Sequence, residues 1–137
     1  MARLKEKEER LCLLFSALAE ESAKGTPIIV EGKRDADALR ALNIEGPIIS
    51  AKTGGRSLLS LVSEIEQLQT SEVILLLDFD RRGKEFTRRL KQHLEASKTT
   101  VNLAFWLELF KLVGKETKNV ENLAKYMETL KSKICNS

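Results

Sequence analysis

Apolar residues along the chain follow two different spacings. In several segments they recur every three or four positions, which predicts amphipathic helices, and between these segments lie short continuous apolar runs typical of buried strands. The predicted strands are 28–30, 48–49, 73–77 and a weaker one at 99–103. The predicted helices are 2–24, 34–42, one from Leu58 to Leu68, one after Gly83 that carries Phe86, Leu90 and Leu94, one from Trp106 to Val113, and one from Val120 to Leu130 that Asn119 would cap.

This alternation of strands and helices predicts an α/β fold. Strands separated by helices of about ten residues form βαβ units, and right-handed crossovers place helices on both faces of a parallel sheet. We expect a single domain over residues 1–137, with a core of about 26–103, an N-terminal helix at 2–24 and a C-terminal helical extension at 104–134.

Composition excludes several classes of protein. With 42% hydrophobic and 31% charged residues among 137, the chain can bury a core. It has no apolar run near the ~18 residues of a membrane span, and its N-terminus mixes both charge signs, so we expect a cytoplasmic protein without a signal peptide or membrane contact. Cys12 and Cys135 lie far apart with only His93 as a further nitrogen or sulfur ligand, so no zinc site is expected.

Acidic residues follow two of the predicted strands directly. Glu31 comes after the first strand, and Asp78 and Asp80 come after the third. A carboxylate next to a buried strand is costly to desolvate unless another charge compensates it. A hard divalent cation such as Mg²⁺, which takes oxygen ligands, would compensate all three carboxylates at once.

The segments that carry these acids resemble the two motifs of the Toprim domain. Residues 31–35 read Glu-Gly-Lys-Arg-Asp, which fits the pattern E-G-x-x-D, and residues 78–83 read Asp-Phe-Asp-Arg-Arg-Gly, which fits D-x-D-x-x-G. The chain is similar in length to the small stand-alone Toprim proteins of archaea and bacteria. Toprim domains also occur in topoisomerases, primases, OLD-type nucleases and a ribosomal-RNA-maturing ribonuclease.

The resemblance implies roles for individual residues. Glu31 matches the proposed general acid or base and belongs with Asp78 and Asp80 to the metal ligands, with Mg²⁺ as cofactor and Mn²⁺ as a substitute. Gly32 and Gly83 match the glycines of the two turns. We interpret Asp35 as a helix-start residue rather than a ligand, because an anionic side chain is favourable in a first helical turn.

A shared metal also predicts a topology. The first and third strands must be neighbours, which gives the strand order 2-1-3-4 with the site at the switch point. The three carboxylates should then lie within about 8 Å of one another, because metal–oxygen bonds and bridging waters span no more than this.

Basic residues surround the proposed acids and indicate a polyanionic partner. Seven of them are predicted to contact nucleic acid: Lys33, Arg34, Lys52, Arg56, Arg81, Arg82 and Lys84. Further along the same helix, Arg88, Arg89 and Lys91 are interpreted as a solvated face. The loop Thr53-Gly54-Gly55 could present backbone N–H groups to a phosphate. Trp106 and Phe110 are interpreted as core anchors.

Two functions fit these observations. The first is a Mg²⁺-dependent protein that processes nucleic acid by Toprim phosphoryl transfer, a nuclease. The alternative is a non-catalytic Toprim module that binds DNA, RNA or a ribonucleoprotein, with the terminal helices as contact surfaces for a protein partner. A haloacid-dehalogenase-type phosphatase is disfavoured, because Arg82 stands where that family has Thr or Val and the motif follows the third strand.

Overall fold

The computed structural model of the protein describes residues 2–52 and 55–135. Its strands are β1 (Ile28–Val30), β2 (Ile48–Ser50), β3 (Glu72–Leu75) and β4 (Thr100–Asn102). Its helices are α1 (Ala2–Ala23), α2 (Lys33–Ala41), α3 (Leu58–Gln67), α4 (Arg81–Ala96), α5 (Ala104–Val113) and α6 (Leu123–Cys135), with a 3₁₀ turn at Val120–Asn122 before α6.

The four strands form one parallel sheet in the order β2-β1-β3-β4. This confirms the predicted α/β class and strand order. Ile29 pairs with Ile49 on one side and with Leu75 on the other, so β1 is flanked by both partners that a switch point requires. The carboxyl ends of β1 and β3 therefore lie side by side.

Successive residues of the central strands point to opposite faces of the sheet, and both faces are covered. Ile28 and Val30 belong to a core formed with α1, α2, α5 and α6. Ile29 belongs to a second core formed with α3 and α4. This double coverage explains why the strands are continuous apolar runs rather than alternating patterns. Helix α1 packs against α5 and α6, as its apolar stripe predicts.

The element boundaries differ from the prediction in ways that affect the loops after β3 and α5. Regular pairing of β3 ends at Leu75, although Leu76 still donates a hydrogen bond to the Ile29 carbonyl at 2.9 Å. Helix α4 begins at Arg81 rather than after Gly83, because Asp80 caps it. Asn119 makes no side-chain cap, since the 3₁₀ turn intervenes before α6.

Candidate acid site and basic cleft

Glu31 is held at the end of β1 by contacts to both neighbouring strands. Beyond β2, the backbone N–H of Lys52 donates to the Glu31 carbonyl at 2.9 Å, and its ammonium donates to Glu31 Oε2 at 3.0 Å. On the other side, Glu31 Oε1 accepts a 3.3 Å hydrogen bond from the backbone N–H of Asp78. The Glu31 side chain is 12% exposed and that of Lys52 is 52% exposed, so the lysine reaches the acid from the solvent side.

Asp78 lies half-buried at the end of the β3 segment and has no cationic partner within 4 Å in the described part of the chain. Its Oδ1 accepts one hydrogen bond, at 3.2 Å, from the backbone N–H of Val120. Burial raises the pKa of Asp78 to about 7, and the neighbouring charge of Glu31 adds to the increase, with smaller contributions from Asp35 and Asp80. The fold therefore brings the carboxylates of Glu31 and Asp78 close together, and within the described residues it pairs Glu31, but not Asp78, with a cation.

Asp80 has a structural role at the start of α4. Its Oδ1 accepts a 2.7 Å hydrogen bond from the backbone N–H of Gly83, which is an N-cap. Gly83 is required here by close approach, because a Cβ at this position would lie 2.2 Å from the Asp78 carbonyl oxygen. The same test at Gly32 finds only an ordinary contact of 3.9 Å, so the first motif's glycine is not needed for space.

Asp35 closes the first turn of α2, in agreement with its interpretation as a helix-start residue. Its Oδ2 accepts a 2.9 Å hydrogen bond from the backbone N–H of Gly32. Burial raises the pKa of Asp35, backbone hydrogen bonds from Gly32 and Glu121 lower it, and the charges of Glu121 and Glu31 raise it further. Asp35 is thus close enough to Glu31 and Asp78 for the charges of these acids to interact.

The donor set at this edge of the sheet fits a hydrated hard cation. Within residues 2–52 and 55–135, no three His, Cys, Asp or Glu side chains form a ready-made metal cluster. Mg²⁺ is nevertheless commonly held by one or two carboxylates, with waters and substrate phosphates as the remaining ligands. The adjacent carboxylates of Glu31 and Asp78 provide such a pair, and their mutual repulsion is what a cation would relieve.

Several of the predicted basic residues lie together beside the acids. Lys52, Arg81 and Arg82 line one cleft of about 420 Å³ between the β2–α3 loop and α4. Arg56 lines an adjoining hollow of about 270 Å³, which also includes Lys52. Arg56 is at the same time ion-paired with Glu64 of α3, and this pair offsets part of the positive charge that Arg56 would present to an anion.

Other predicted basic residues lie elsewhere or serve another purpose. Arg34 lines a separate cleft between α2 and α6 rather than the one beside Lys52. The ammonium of Lys84 lies 4.4 Å from the centre of the Phe110 ring, so it is engaged in a cation–π contact on the α5 side. Lys33 is exposed in the first turn of α2. Of the proposed phosphate-binding loop Thr53-Gly54-Gly55, the first two residues fall outside the described part of the chain.

The C-terminal extension contacts the site in a way that the motifs do not predict. The backbone N–H of Phe79, the residue after Asp78, donates to the Lys118 carbonyl at 2.7 Å. Lys118 lies two residues before Val120, whose backbone N–H bonds Asp78. Trp106 is a core anchor as predicted, and its Nε1–H donates to the Leu77 carbonyl at 2.7 Å. A buried indole N–H requires an acceptor, so a tryptophan predicted in the core is itself a sign that α5 bonds a neighbouring segment.

Comparison with known proteins agrees with this architecture. A family model for the Toprim domain matches residues 26–109, so the chain belongs to the Toprim family. The match includes both motifs and the four strands. None of the helices within residues 2–52 and 55–135 is long and apolar enough to cross a membrane.

Similar proteins occur in archaea under the name UPF0292. The chain is 35% identical to UPF0292 protein MJ1624 of Methanocaldococcus jannaschii over 120 residues, which cover 87% of this chain and 91% of that one. It is 37% identical to UPF0292 protein Mbar_A0484 of Methanosarcina barkeri, covering 91% and 85% of the two chains. A solved structure of a protein from Aquifex aeolicus superposes with a TM-score of 0.67 at 27% identity, over 80% of this chain and 94% of that one.

Proposed function

We propose that this protein is a Mg²⁺-dependent nuclease that uses Toprim phosphoryl-transfer chemistry. The observation that carries the proposal is the meeting of Glu31 and Asp78 at the ends of adjacent parallel strands, where Glu31 Oε1 contacts the Asp78 backbone N–H at 3.3 Å. Among the residues that the structure describes, a backbone hydrogen bond from Val120 is all that offsets the charge of Asp78. A carboxylate pair left in this state is suited to a cation and a phosphodiester rather than to a purely structural role.

Glu31 is the residue best placed to move a proton. Its Oε2 accepts a 3.0 Å hydrogen bond from the Lys52 ammonium, which fixes the orientation of the carboxylate. A carboxylate held at this position can accept a proton from an attacking water or alcohol and return it to the leaving oxygen. Asp78 and Asp80, together with Glu31, would hold Mg²⁺, which when bound supplies neutralisation of the charge that develops on the phosphate.

The basic cleft would hold the substrate backbone. Arg81 and Arg82 extend from the first turn of α4, directly after Asp80, and line the cleft together with Lys52. Guanidinium groups bind phosphate oxygens in a bidentate manner, so these two arginines can orient the phosphodiester next to the acids. The shared lining residue Lys52 connects the cleft to Glu31.

A non-catalytic Toprim binding module is the second candidate. It is favoured by the role of Asp80, whose Oδ1 already caps α4, and by the lack of a preformed cluster of three metal ligands in residues 2–52 and 55–135. In that case the arginines would bind nucleic acid or a ribonucleoprotein, and Glu31 would serve only to hold Lys52.

Incubation with labelled DNA and RNA, single- and double-stranded, distinguishes the two functions. The nuclease predicts cleavage with Mg²⁺ or Mn²⁺, none with EDTA, and a loss of about 10²-fold or more in Glu31→Gln, since removal of a general acid–base group costs this much. Glu45→Gln, which changes an exposed glutamate outside the site, should keep full activity. Binding without cleavage in every metal would favour the module.

A further inference from the structure

The cleft beside the acids is wider than a single phosphate contact requires. Two adjoining hollows, of about 420 and 270 Å³, lie between the start of α3 and the outer side of α4, and they share Lys52, Phe86 and Arg89 as lining residues. Lys52 also holds Glu31. A ligand bound at the acids can therefore continue over Phe86 and Arg89 without leaving the basic surface.

Arg89 differs from the basic residues next to it on α4. Arg88 is ion-paired with Glu85, and Lys91 with Glu95 at 3.0 Å, so both form local pairs along the exposed helix, as the sequence indicates. Arg89 lines both hollows and forms no ion pair within 4 Å in the described part of the chain. Its guanidinium is therefore available to an anion in the cleft, one helical turn from Phe86.

Phe86 provides the apolar part of the same surface. It is half-buried, with its inner side packed on the core formed by α3 and α4. The rest of its side chain faces the two hollows among basic residues and one acid, Glu85, which is ion-paired with Arg88. An aromatic ring set among arginines is the combination that binds unpaired nucleotides, because the base stacks on the ring while the phosphates meet the cations.

We propose that the surface formed by Phe86 and Arg89 is a subsite for an unpaired nucleotide of a single-stranded polynucleotide, next to the acid site. The base stacks on Phe86, and its phosphate binds Arg89. A duplex hides the faces of its bases, so it can use the arginines but not the ring. The proposal rests on the proposed function for the position of the substrate, but its binding preference does not depend on cleavage.

Fluorescence anisotropy in EDTA tests the subsite without catalysis, using the full chain and labelled 12-mers of DNA and RNA in single- and double-stranded form. Wild type should bind single strands more tightly than duplexes. Phe86→Leu should weaken single-strand binding about tenfold and leave duplex binding unchanged, because stacking on one aromatic ring contributes about this factor. Phe86→Tyr, which keeps the ring, should match wild type.

Arg89→Gln and Arg88→Gln form a matched pair on one helix. Arg89→Gln should lower the salt dependence of single-strand binding by about 0.7 in the log–log slope, the value of one phosphate contact. Arg88→Gln should leave it unchanged. If the melting curve shows that Phe86→Leu is unfolded, the comparison of Arg89→Gln with Arg88→Gln tests the subsite instead.

The two proposals fail in different ways. Equal binding of single strands by wild type and folded Phe86→Leu, or equal effects of Arg88→Gln and Arg89→Gln, would overturn the subsite while leaving cleavage intact. A single-strand preference that depends on Phe86, in a protein that cleaves nothing, would support the subsite and overturn the nuclease. Comparison of the DNA and RNA 12-mers shows which of the two polynucleotides the subsite prefers.

Discussion

Glu31 and Asp78 both lie beyond the carboxyl ends of neighbouring strands, but their surroundings differ. Glu31 has an ammonium at 3.0 Å and the N–H of Asp78 at 3.3 Å. Within the described residues, the hydrogen bond to Asp78 comes from the N–H of Val120 at 3.2 Å, and burial together with three acidic neighbours raises its pKa. One carboxylate is compensated by the fold, and the other is left with a deficit of positive charge.

This difference assigns separate parts to the two strands. The β1–β2 side supplies a carboxylate that is held in place and paired with a cation, because Lys52 bonds to Glu31 through both its backbone N–H and its ammonium. The β3 side supplies a carboxylate whose charge must be met from outside the chain. On this account the protein gains stability when a cation arrives, and Asp78 is the residue on which that gain depends.

The largest expected effect is therefore the response to Mg²⁺. At a Mg²⁺ concentration of about 100 Kd, the free energy of unfolding of the wild type should rise by about 2.7 kcal/mol. Asp78→Asn combined with Asp80→Asn should abolish the rise. Urea denaturation with and without Mg²⁺ measures both. Asp37→Asn, an exposed acid on α2, is the control and should respond like the wild type.

Asp80 has two proposed roles, and two substitutions separate them. Asp80→Ala removes the cap of α4 and should cost about 1 kcal/mol in unfolding free energy without metal, whereas Asp80→Asn keeps a capping side chain and should cost a few tenths. Both should weaken the Mg²⁺ response. Equal destabilisation by Ala and Asn in EDTA would contradict the capping role.

The stability of the metal-free protein should depend on pH with an unusual sign. The pKa of Asp78 is about 7 in the folded protein and 3.8 when unfolded, so the folded state binds more protons between these values. The unfolding free energy should fall as pH rises from 4 to 7, on the order of 1 kcal/mol once solvent screening of a half-buried group is allowed for. Thermal melts in EDTA at several pH values measure this.

Asp78→Asn serves as the matched variant for the pH experiment. Its stability should fall less over the same range, because Asn has no proton to lose. If the difference between the two proteins were the same at pH 5 and pH 8, the charge deficit assigned to Asp78 would be wrong.

The smallest effect concerns Lys52, which compensates Glu31. Lys52→Gln should lower the unfolding free energy in EDTA by less than about 1 kcal/mol, because the lysine is half exposed. Its stabilisation by Mg²⁺ should increase, since both carboxylates then lack a cation. Lys33→Gln, an exposed lysine on α2, is the control. A reduced Mg²⁺ response in Lys52→Gln would show that the lysine assists the cation instead of competing with it.

Much of the fold follows directly from apolar spacing. The run from Val73 to Leu77 is buried throughout, which its composition predicts, and the neighbouring positions of β1 and β3 follow from the need of Glu31 and Asp78 to meet. The start of α4 is different. The motif predicts Asp80 as a metal ligand, whereas the structure shows the same carboxylate as a helix cap, a local contact that places the start of the helix at Arg81.

The remaining features depend on contacts between distant segments. Val120 reaches Asp78 through a backbone N–H, which any residue could provide, so no side-chain pattern marks it. The number of basic residues on α4 does not distinguish Arg88 from Arg89. Arg89 lines a cleft because α3 packs against α4, and this packing is not visible in the sequence. Lys84 likewise needs the position of Phe110 on α5 before its cation–π contact can be predicted.

Calorimetric titration of the metal-free protein with Mn²⁺ and Mg²⁺ tests the central claim most directly. The wild type should bind the metal saturably, and this binding should be lost in Asp78→Asn, strongly weakened in Glu31→Gln and unchanged in Asp37→Asn. The fluorescence of Trp106, the single tryptophan, whose indole bonds the carbonyl next to Asp78, should change along the same binding curve. Binding of equal strength by the wild type and Asp78→Asn, or none by the wild type at millimolar metal, would show that Asp78 is not part of a cation site.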